Sequence, residues 1–394
     1  MDSRETKRTV PSPSGGADGE QPISQATAMS ISEAATENNP QEKSLEERLL
    51  EMRRMTDPAY LPTISMSELY QNVYQGRPPI IDGLLYPGTY LFAGAPKVGK
   101  SFLMAQLAYH VSMGLPLWGY PVHKGTVLYL ALEDDHRRLQ GRLYRMFGMD
   151  GTNDLLFAIH AKQLGVGLEG QLKMFVREHP DTKLIIIDTL QKVREAGGDK
   201  YSYANDYEVV GTLKRLADDC GICLLLVHHT RKQQADDKFD MISGTNGLLG
   251  AADGAFVLQK EKRTGNTAVL EVSGRDQPEQ RLILKKNMER LVWELEKSET
   301  DLWQIPPDPI LEKVAALLSE EISEWSGTPT ELAEALHLEL KPNLLTKHLN
   351  VNVSRLLHEC HTQYENIRTH AGRRIVLKRV SEQCDNDFDS GGGA

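Results

Sequence analysis

The sequence predicts an α/β protein in which a central, mostly parallel sheet is followed by a small helical module. From about residue 62 to 295, short apolar runs alternate with helix-like segments, as in parallel strands joined by crossover helices. A Gly-rich loop separates the first of these strands from its helix. After residue 305 the pattern changes to helical segments and one basic hairpin. These observations predict a core and a second, smaller domain.

Composition and net charge limit the classes of protein to which this chain can belong. The chain has 394 residues, more than one typical domain, and a formal net charge of −10. This charge argues against a uniformly basic nucleic-acid coat, although a local basic surface is compatible with it. Because no apolar run reaches membrane-spanning length and no signal segment is present, we expect a cytoplasmic protein with no membrane partner. Cys220 and Cys223 have a CxxC spacing, but without a second pair at zinc spacing we interpret them as buried thiols.

The chain divides by composition. Ser, Gly, Pro, Glu and Gln dominate the N-terminal segment, which we expect to be disordered. The expected organisation is a disordered tail at 1–45, a short helix and linker at 46–61, the α/β core at 62–297, a linker at 298–308, a winged-helix-like domain at 309–381 and a disordered tail at 382–394.

Within the core, apolar runs predict the strands and polar segments predict the helices. The expected strands are 90–93, 126–132, 155–160, 184–187 and 222–227, and the expected helices are 101–113, 135–147, 169–178 and 206–219. Beyond Gly250, the runs 255–258, 268–272 and 281–285 are short and separated by turns. They predict an antiparallel extension of the sheet that ends at Trp293.

The C-terminal region predicts three helices. The first spans 309–324, the second lies in the segment that begins at Thr328 and has Thr330 as its cap, and the third spans 341–359. A basic hairpin follows at 364–380. Three helices and such a hairpin indicate a winged-helix-like domain. Its candidate contacts to DNA or to a partner protein are Lys341, Lys347, Arg355, Arg373 and Arg374, and the alternative is a domain that makes protein contacts only.

The Gly-rich loop is a phosphate-binding motif. Its residues are Gly94, Ala95, Pro96, Lys97, Val98, Gly99, Lys100 and Ser101, and Phe102 opens the helix. The glycines let backbone N–H groups point at phosphate oxygens at the positive end of the helix. Lys100 is expected to reach the β- and γ-phosphates, and Ser101 to ligate Mg²⁺. The motif therefore predicts binding of ATP or GTP.

Two further strand ends carry acids. Asp188 lies at the end of an apolar strand. In P-loop enzymes an acid at such a strand end supports the Mg²⁺ ion, so we expect this role for Asp188. Hydrolysis also needs a group that activates water, and residue 189 is Thr189 rather than an acid. Glu133 is our first candidate and Asp134 the second, although the acidic trio 133–135 could instead cap the next helix.

His228 and His229 follow the strand at 222–227. Adjacent strand residues point to opposite faces, so we do not expect a metal site here. A polar residue at this position can sense the γ-phosphate and signal to the polar loop at 231–247. Basic residues of this loop are candidate nucleic-acid contacts or a solvated surface: Arg231, Lys232 and Lys238.

Ring-forming ATPases often complete the site with a cation from a neighbouring subunit. Arg275, in a turn between late strands, is our first candidate. The competing candidates are Arg263, Arg281 and Lys285.

Together, these motifs resemble the RecA-fold P-loop ATPases of the RepA-like plasmid and phage helicase group. The resemblance covers about 62–295 and includes 82–85, 94–101, 130–135, 184–188, 227–230 and 274–275. It implies a RecA-like P-loop NTPase core with the catalytic residues Lys100, Glu133, Asp188, His229 and Arg275. Glu133 would activate water, His229 would sense phosphate, and Arg275 would act in the neighbouring subunit.

The resemblance also implies an activity and partners. We expect a Mg²⁺-dependent ATPase acting on single-stranded DNA, as a ring-forming, hexameric replicative helicase of a mobile element. A replication initiator or a primase is an expected partner. The alternatives are a DNA-bound ATP switch or recombination mediator that does not unwind, and a regulator whose C-terminal domain reads an operator.

Overall fold

The computed structural model describes residues 45–74, 76–194, 203–231, 238–242, 246–260, 262, 265–275, 277–299, 306–369 and 372–380. The tails expected at 1–45 and 382–394 lie outside these ranges, apart from residue 45. Among the described residues, those up to Ile64 and those from Ser65 onward form two units. In the first unit, helix α1 spans Leu45–Met55.

A central sheet organises the second unit. Its strands are β1 (Gly88–Gly94), β2 (Thr126–Ala131), β3 (Leu155–Ala158), β4 (Thr182–Asp188), β5 (Cys223–His229), β6 (Gly254–Lys260), β7 (Thr267–Gly274), β8 (Gln280–Lys286) and β9 (Trp293–Ser298). Within the described residues their order is β3-β2-β4-β5-β1-β6-β7-β8-β9. All pairs from β3 to β6 are parallel, and the pairs from β6 to β9 are antiparallel.

Helices cover both faces of this sheet. The helices of this region are α2 (Met66–Gln71), α3 (Lys100–Met113), α4 (His136–Phe147), α5 (Leu168–Glu178), α6 (Leu190–Val193), α7 (Tyr203–Cys220) and α8 (Asn246–Ala251). Helices α3 and α4 contribute to one hydrophobic core, and α5, α7 and α8 contribute to the other. Strands β1, β2, β4 and β5 are buried almost throughout, because helices lie on both sides. This is a RecA-like P-loop NTPase fold, and the expected α/β core is confirmed.

Two details of the sheet differ from expectation. The run at 255–258 was expected in the antiparallel extension, but β6 pairs in parallel with β1. The reason is that α8 carries the chain back across the sheet, so this connection is one more crossover. Trp293 does not end the extension, because it begins β9, which pairs with β8. The polar sequence of β9, which has a largely exposed pattern, concealed this edge strand.

The C-terminal region forms its own small core. Its elements are α9 (Pro309–Ala316), β10 (Glu324–Gly327), α10 (Pro329–Ala335), α11 (Pro342–Val351), α12 (Val353–His358), β11 (Thr362–Thr369) and β12 (Gly372–Arg379). The three strands are ordered β10-β12-β11, and β11 and β12 form an antiparallel hairpin. Thirteen buried apolar side chains, such as Leu345, Leu349 and Tyr364, fill the space between helices and sheet.

Three boundaries in this region were wrong. The helix expected at 309–324 ends at Ala316, because a turn at Ser319 to Ile322 leads into β10. The cap of α10 is Thr328 rather than Thr330, since Thr328 and Glu331 form a reciprocal capping box around Pro329. The helix expected at 341–359 is two helices, because Asn352 ends α11 and its side chain donates to the His348 carbonyl.

A segment before the sheet packs against this C-terminal region. Asn350 on α11 donates to the carbonyls of Tyr70 and Gln71 at 3.0 Å each, and its Oδ1 accepts from the Tyr364 hydroxyl at 2.8 Å. Val73 packs against the C-terminal core. This packing differs from the expectation that 62–297 forms one core, because the first residues of that range contact α11.

The buried amide of Asn350 gives a testable prediction. Asn350→Leu is expected to lower the free energy of unfolding by about 1–3 kcal/mol, because it leaves the buried Tyr364 hydroxyl without its acceptor and removes the donor to the carbonyls of Tyr70 and Gln71. Urea unfolding measures this change. The control Asn343→Ala removes an exposed amide from the same helix and is expected to change stability by less than about 0.5 kcal/mol. Equal effects of the two substitutions would contradict the prediction.

Within the described ranges, no helix combines the length and apolar character needed to cross a membrane. The thiols of Cys220, Cys223 and Cys360 are free. The same ranges contain no group of three or more His, Cys, Asp or Glu side chains that could hold a metal ion.

Candidate nucleotide site

The predicted site residues meet at the edge of the sheet where the parallel strands end. In the register of the sheet, Gly94 of β1 pairs with His229 of β5, and Ala131 of β2 pairs with Asp188 of β4. Since the carboxyl ends of parallel strands share one edge, the loops that follow these strands lie side by side. The phosphate loop, Glu133, Asp188 and His229 therefore come from four neighbouring strands.

The phosphate loop connects β1 directly to α3. Residues 95–97 are exposed at its tip, whereas Val98 and Lys100 are buried. Gly94 must be glycine, because a Cβ there would lie 2.7 Å from the Leu258 carbonyl oxygen of β6. Gly99 has φ +113° and is the N-cap of α3, so the first N–H groups of α3 have no side-chain cap. An uncapped N-terminus of this kind suits an anion.

Lys100 lies inside this loop. Its Nζ donates to the carbonyls of Gly94 and Ala95 at 2.7 and 3.2 Å, and lies 3.3 Å from Nδ1 of His229. Burial lowers the pKa of Lys100, while the carboxylates of Asp188 and Glu133 act in the opposite direction. The ammonium is thus desolvated and held among oxygen atoms, where its interaction with a phosphate would be strong.

Asp188 is a buried carboxylate at the end of β4. Its Oδ2 accepts a 2.8 Å hydrogen bond from the Tyr129 hydroxyl, and the Ser101 side chain also hydrogen-bonds to it. Burial raises the pKa of Asp188, and these two hydrogen bonds oppose that shift. The contact brings the Ser101 hydroxyl and a carboxylate together, and oxygen atoms of these types are the ligands that Mg²⁺ prefers.

The two candidate bases have different environments. Both oxygens of Asp134 accept from Arg142, at 2.7 and 3.2 Å, and the Asp134 side chain is only 8% exposed. Asp135 caps α4 by accepting from the Arg138 N–H. Glu133 is exposed, and its Oε1 lies 3.4 Å from the Thr189 hydroxyl that donates to it. The second candidate, Asp134, is therefore committed to an ion pair, and Asp135 alone of the trio caps the helix.

His229 links the site to the chain after β5. Burial lowers its pKa, and the Lys100 ammonium lowers it further. Because an ammonium only donates, Nδ1 of His229 must be the acceptor in their contact, which requires the neutral ring. Residue 230 then pairs with Ile242, and the N–H of Arg231 donates to the Met241 carbonyl at 2.7 Å. A change at His229 therefore has a short covalent path to this loop.

Several supporting residues carried no signal in the sequence. In the sequence, Tyr129 is one of several residues in an apolar run. Only the structure shows that its hydroxyl donates a hydrogen bond to Asp188. Trp293 lies against the loop, and Gln106 of α3 holds its main chain through hydrogen bonds of 2.8 and 2.7 Å. Lys286 places its Nζ 3.9 Å from the centre of the Phe102 ring. Gln106 offered the one available hint, as a polar residue in an otherwise apolar helical run.

The contact between the loop and Trp293 predicts a large effect at Gly99. Gly99→Ala is expected to lower the free energy of unfolding by about 1–3 kcal/mol, because φ is +113° and the new Cβ would lie 2.9 Å from Trp293 Cζ2. The control is Gly141→Ala, in open space on α4, which is expected to stabilise by about 0.5–1 kcal/mol. Urea unfolding of both variants tests this; an unchanged Gly99→Ala protein would contradict it.

Arg275 does not join this site within its own chain. It follows Gly274, which pairs with Gly254 at the start of β6, so it lies at the opposite, amino edge of the parallel strands. Its exposed guanidinium donates to the Gly250 carbonyl at 2.9 Å. Two other residues were candidates for the cation that a neighbouring subunit supplies. Arg281 pairs with Glu271 and Glu299, and Arg263 lies outside the described residues.

The candidate nucleic-acid contacts are spread over two regions. Arg231 is exposed, Lys238 pairs with Glu271 at 3.3 Å, and Lys232 lies outside the part of the chain that the structure describes. In the C-terminal hairpin, Arg374 is exposed and donates to the Ser326 hydroxyl. Arg373 lies 3.4 Å from the Gln71 amide oxygen to which it donates. Arg231 leaves the sheet beside the phosphate loop, because the N–H of the preceding Thr230 donates to the Gly94 carbonyl at 3.4 Å, whereas Arg373 and Arg374 belong to the C-terminal hairpin.

Arg355, another candidate nucleic-acid contact, is engaged by partners within its own chain. Its guanidinium donates to both oxygens of Glu359, at 2.8–3.0 Å, and to the Pro306 carbonyl at 3.1 Å. The hydrogen bond with Glu359 raises the pKa of Arg355. An arginine engaged in this way within its own helix turn has little capacity left for a phosphate.

Comparison with known proteins agrees with this geometry. Residues 56–235 match a family model described as an AAA domain. No curated protein sequence matches the chain. The match confirms the P-loop ATPase part of the resemblance seen in the sequence.

Solved structures of similar fold include the ATPase domain of G40P, at 15% identity and a TM-score of 0.47 over 65% of this chain and 100% of that one. A DnaB-like replicative helicase, solved in a study of its interactions with primase, has 17% identity and a TM-score of 0.47 over 64% and 72% of the two chains. The KaiC-like protein PH0186 from Pyrococcus horikoshii OT3 has 14% identity and a TM-score of 0.40 over 57% and 99%.

Proposed function

Because residues 56–235 are an AAA-type ATPase domain on a RecA-like sheet, we propose that the protein hydrolyses ATP at the phosphate loop with Glu133 as the base. The observation that carries this proposal is the meeting of four groups at one sheet edge: Lys100, Glu133, Asp188 and His229. Glu133 is the exposed carboxylate among them, so it is the one that can reach a water molecule.

In this reaction, a water oxygen attacks the γ-phosphorus and the bond to the β,γ-bridging oxygen breaks, giving ADP and phosphate. Glu133 accepts the proton that the water loses. Lys100 and the N–H groups of the loop stabilise the charge that develops on the phosphate oxygens. The Thr189 hydroxyl, which donates to Glu133, orients its carboxylate. His229 contacts Lys100 and thereby senses whether the γ-phosphate is present.

The donor set fits a magnesium ion. Ser101 and Asp188 supply a hydroxyl and a carboxylate that already hydrogen-bond to each other, and hard oxygen ligands are those that Mg²⁺ selects. We propose that Ser101 ligates the ion and that Asp188 supports its water ligands. When bound, Mg²⁺ neutralises charge on the β- and γ-phosphates.

We further propose that the protein works as a ring, expected to be a hexamer, that moves on single-stranded DNA as a replicative helicase. The sequence resemblance and the likeness of motifs support this assignment. Arg275 is exposed and far from the phosphate loop of its own chain, which is compatible with action in a neighbouring subunit. A primase or a replication initiator is the partner we propose for such a ring, and a plasmid, phage or integrative element is its proposed genetic setting.

Strand displacement tests the helicase assignment. Purified protein is mixed with a forked duplex and Mg-ATP, and its mass is measured with ATP, ADP and no nucleotide. The helicase assignment predicts ATP-dependent release of one strand by a ring-sized assembly. It also predicts that Arg275→Ala reduces the ATPase rate, and that subunits carrying Arg275→Ala or Glu133→Gln complement each other in mixed rings. Unwinding by a monomer would contradict the ring.

One observation favours a second function, a DNA-bound ATP switch or regulator. The order α9, β10, α10, α11, α12, β11, β12, with a basic hairpin, fits a winged-helix-like domain, which commonly reads duplex DNA. We propose that Lys341, Lys347, Arg373 and Arg374 are its DNA contacts. Footprinting on candidate origin or promoter DNA tests this function, which predicts sequence-specific protection of duplex that survives Lys100→Ala. Protection that requires ATP hydrolysis would favour the motor.

A further inference from the structure

A buried tyrosine hydroxyl lies beneath the nucleotide site. Tyr129 is on β2, two residues before Ala131, which pairs with Asp188 of β4. The Tyr129 side chain is fully buried, and its hydroxyl donates to Oδ2 of Asp188 at 2.8 Å. The other residues of the run 127–131 are apolar, and phenylalanine would fill the same space without a polar atom to bury. The packing of the strand therefore does not account for the hydroxyl.

The hydroxyl of Tyr129 has one hydrogen-bond partner within the described residues, and this partner is Asp188. The other carboxylate close to the phenol, that of Asp134, accepts from the Arg142 guanidinium with both of its oxygens. Because an ionised carboxylate only accepts, the phenol is the donor to Asp188. Hydrogen bonds to a charged acceptor are the stronger kind.

The ring that carries this hydroxyl is fixed by packing. Tyr129 belongs to the core on the side of α3 and α4, and the centre of its ring lies 5.6 Å from that of the Phe157 ring on β3. A donor whose position is set by packing holds its acceptor in one orientation. Rotation of the Asp188 carboxylate would therefore break the 2.8 Å hydrogen bond to Oδ2.

The same carboxylate contacts the phosphate loop. The Ser101 side chain hydrogen-bonds to Asp188, and Ser101 is the residue proposed above to ligate Mg²⁺. Asp188 thus has one hydrogen-bond partner in the core and one in the loop. Partners of this kind, which lie behind the groups that hold a metal ion, set the orientation of those groups and so affect the affinity for the metal.

We propose that Tyr129 is a positioning residue for the magnesium ion, and that its hydroxyl fixes the orientation in which Asp188 supports the water ligands of the ion. This inference rests on the proposed function, because it takes Ser101 and Asp188 as the magnesium site. Tyr129 is fully buried, so it acts through Asp188 and contacts neither the nucleotide nor the metal.

Nucleotide affinity with and without Mg²⁺ isolates this role. A fluorescent ATP analogue is titrated into the wild type and Tyr129→Phe, in excess Mg²⁺ and in EDTA. By linkage, the ratio of the two affinities is the factor by which the protein strengthens the binding of Mg²⁺ to the nucleotide. Tyr129→Phe is expected to lower this ratio by about tenfold, and to leave the affinity in EDTA within about twofold of the wild type.

Tyr364→Phe is the matched control, because it also removes a buried tyrosine hydroxyl. Tyr364 lies in the C-terminal core, and its hydroxyl donates to Asn350 at 2.8 Å. This variant is expected to leave the affinity ratio unchanged. If Tyr129 served the fold alone, Tyr129→Phe would lower the affinity equally in Mg²⁺ and in EDTA, or lower the Tm with an unchanged ratio. Either result would overturn the proposal.

A double-mutant cycle tests whether Tyr129 acts through Asp188. In Asp188→Ala the hydroxyl has no carboxylate to orient, so adding Tyr129→Phe is expected to cause no further loss in the affinity ratio. A further loss as large as that in the wild-type background would show that Tyr129 acts by another route, and the proposal would be wrong.

Two negative results have different meanings. If the wild type binds the analogue equally well in Mg²⁺ and in EDTA, the proposed magnesium site is wrong and this inference is overturned with it. If the wild type depends on Mg²⁺ and Tyr129→Phe depends on it to the same extent, the role of Tyr129 alone is wrong.

Discussion

Glu133→Gln is expected to lower the rate of ATP hydrolysis by about 10²- to 10⁴-fold while ATP still binds. Glutamine has the size of glutamate but cannot accept a proton from water. It also keeps an oxygen for the hydrogen bond from Thr189, so the local structure should persist. Phosphate release at saturating Mg-ATP gives the rate, and titration with a fluorescent ATP analogue gives the affinity.

The neighbouring acid provides the control for Glu133. Asp135→Asn also removes one carboxylate from the trio, but asparagine caps a helix as well as aspartate does. Its hydrolysis rate is expected to stay within about twofold of the wild type, since Asp135 faces the helix rather than the site. A Glu133→Gln protein with wild-type turnover would assign the base to another residue.

Lys100→Ala is expected to weaken ATP binding by about 10²-fold or more and to abolish measurable hydrolysis. The lost interactions are charge-assisted hydrogen bonds to phosphate in a desolvated loop, each of which contributes about 1.5–3 kcal/mol. Binding of the ATP analogue measures the first effect. Lys100→Ala should thus differ from Glu133→Gln, which loses turnover and keeps affinity.

Lys97→Ala is the matched control for Lys100, because it removes a lysine from the exposed tip of the same loop. Its effect on ATP affinity is expected to be less than about tenfold. Similar losses from Lys97→Ala and Lys100→Ala would contradict the role assigned to Lys100. Thermal unfolding of Lys100→Ala shows whether its loss of binding reflects the site or the fold.

The buried strands in the middle of the sheet could be predicted from local sequence patterns. The buried strands β1, β2, β4 and β5 are continuous apolar runs, so their existence and order along the chain were visible. The direction in which β6 pairs was not visible, because it depends on where α8 returns the chain. Edge strand β9 alternates only weakly and carries many charges, so nothing in its sequence separates it from a loop.

The residues of the site likewise fall into two groups, those that the sequence predicts and those that only the structure shows. Lys100, Glu133, Asp188 and His229 each end a strand or follow one, and a parallel sheet collects such ends at one edge. The partners Tyr129 and Trp293 contact the site from buried positions in a strand and at the start of another. Their contacts depend on side-chain packing across the sheet, which no spacing in the sequence encodes. The choice between Glu133 and Asp134 likewise required the position of Arg142.

The most direct test of the central claim is the steady-state rate of phosphate release from Mg-ATP, measured with and without single-stranded DNA for wild type, Lys100→Ala and Glu133→Gln. An ATPase that acts on single-stranded DNA predicts turnover that DNA stimulates and that both substitutions abolish. Turnover that persists in Glu133→Gln and does not respond to DNA would contradict both the assigned base and the motor.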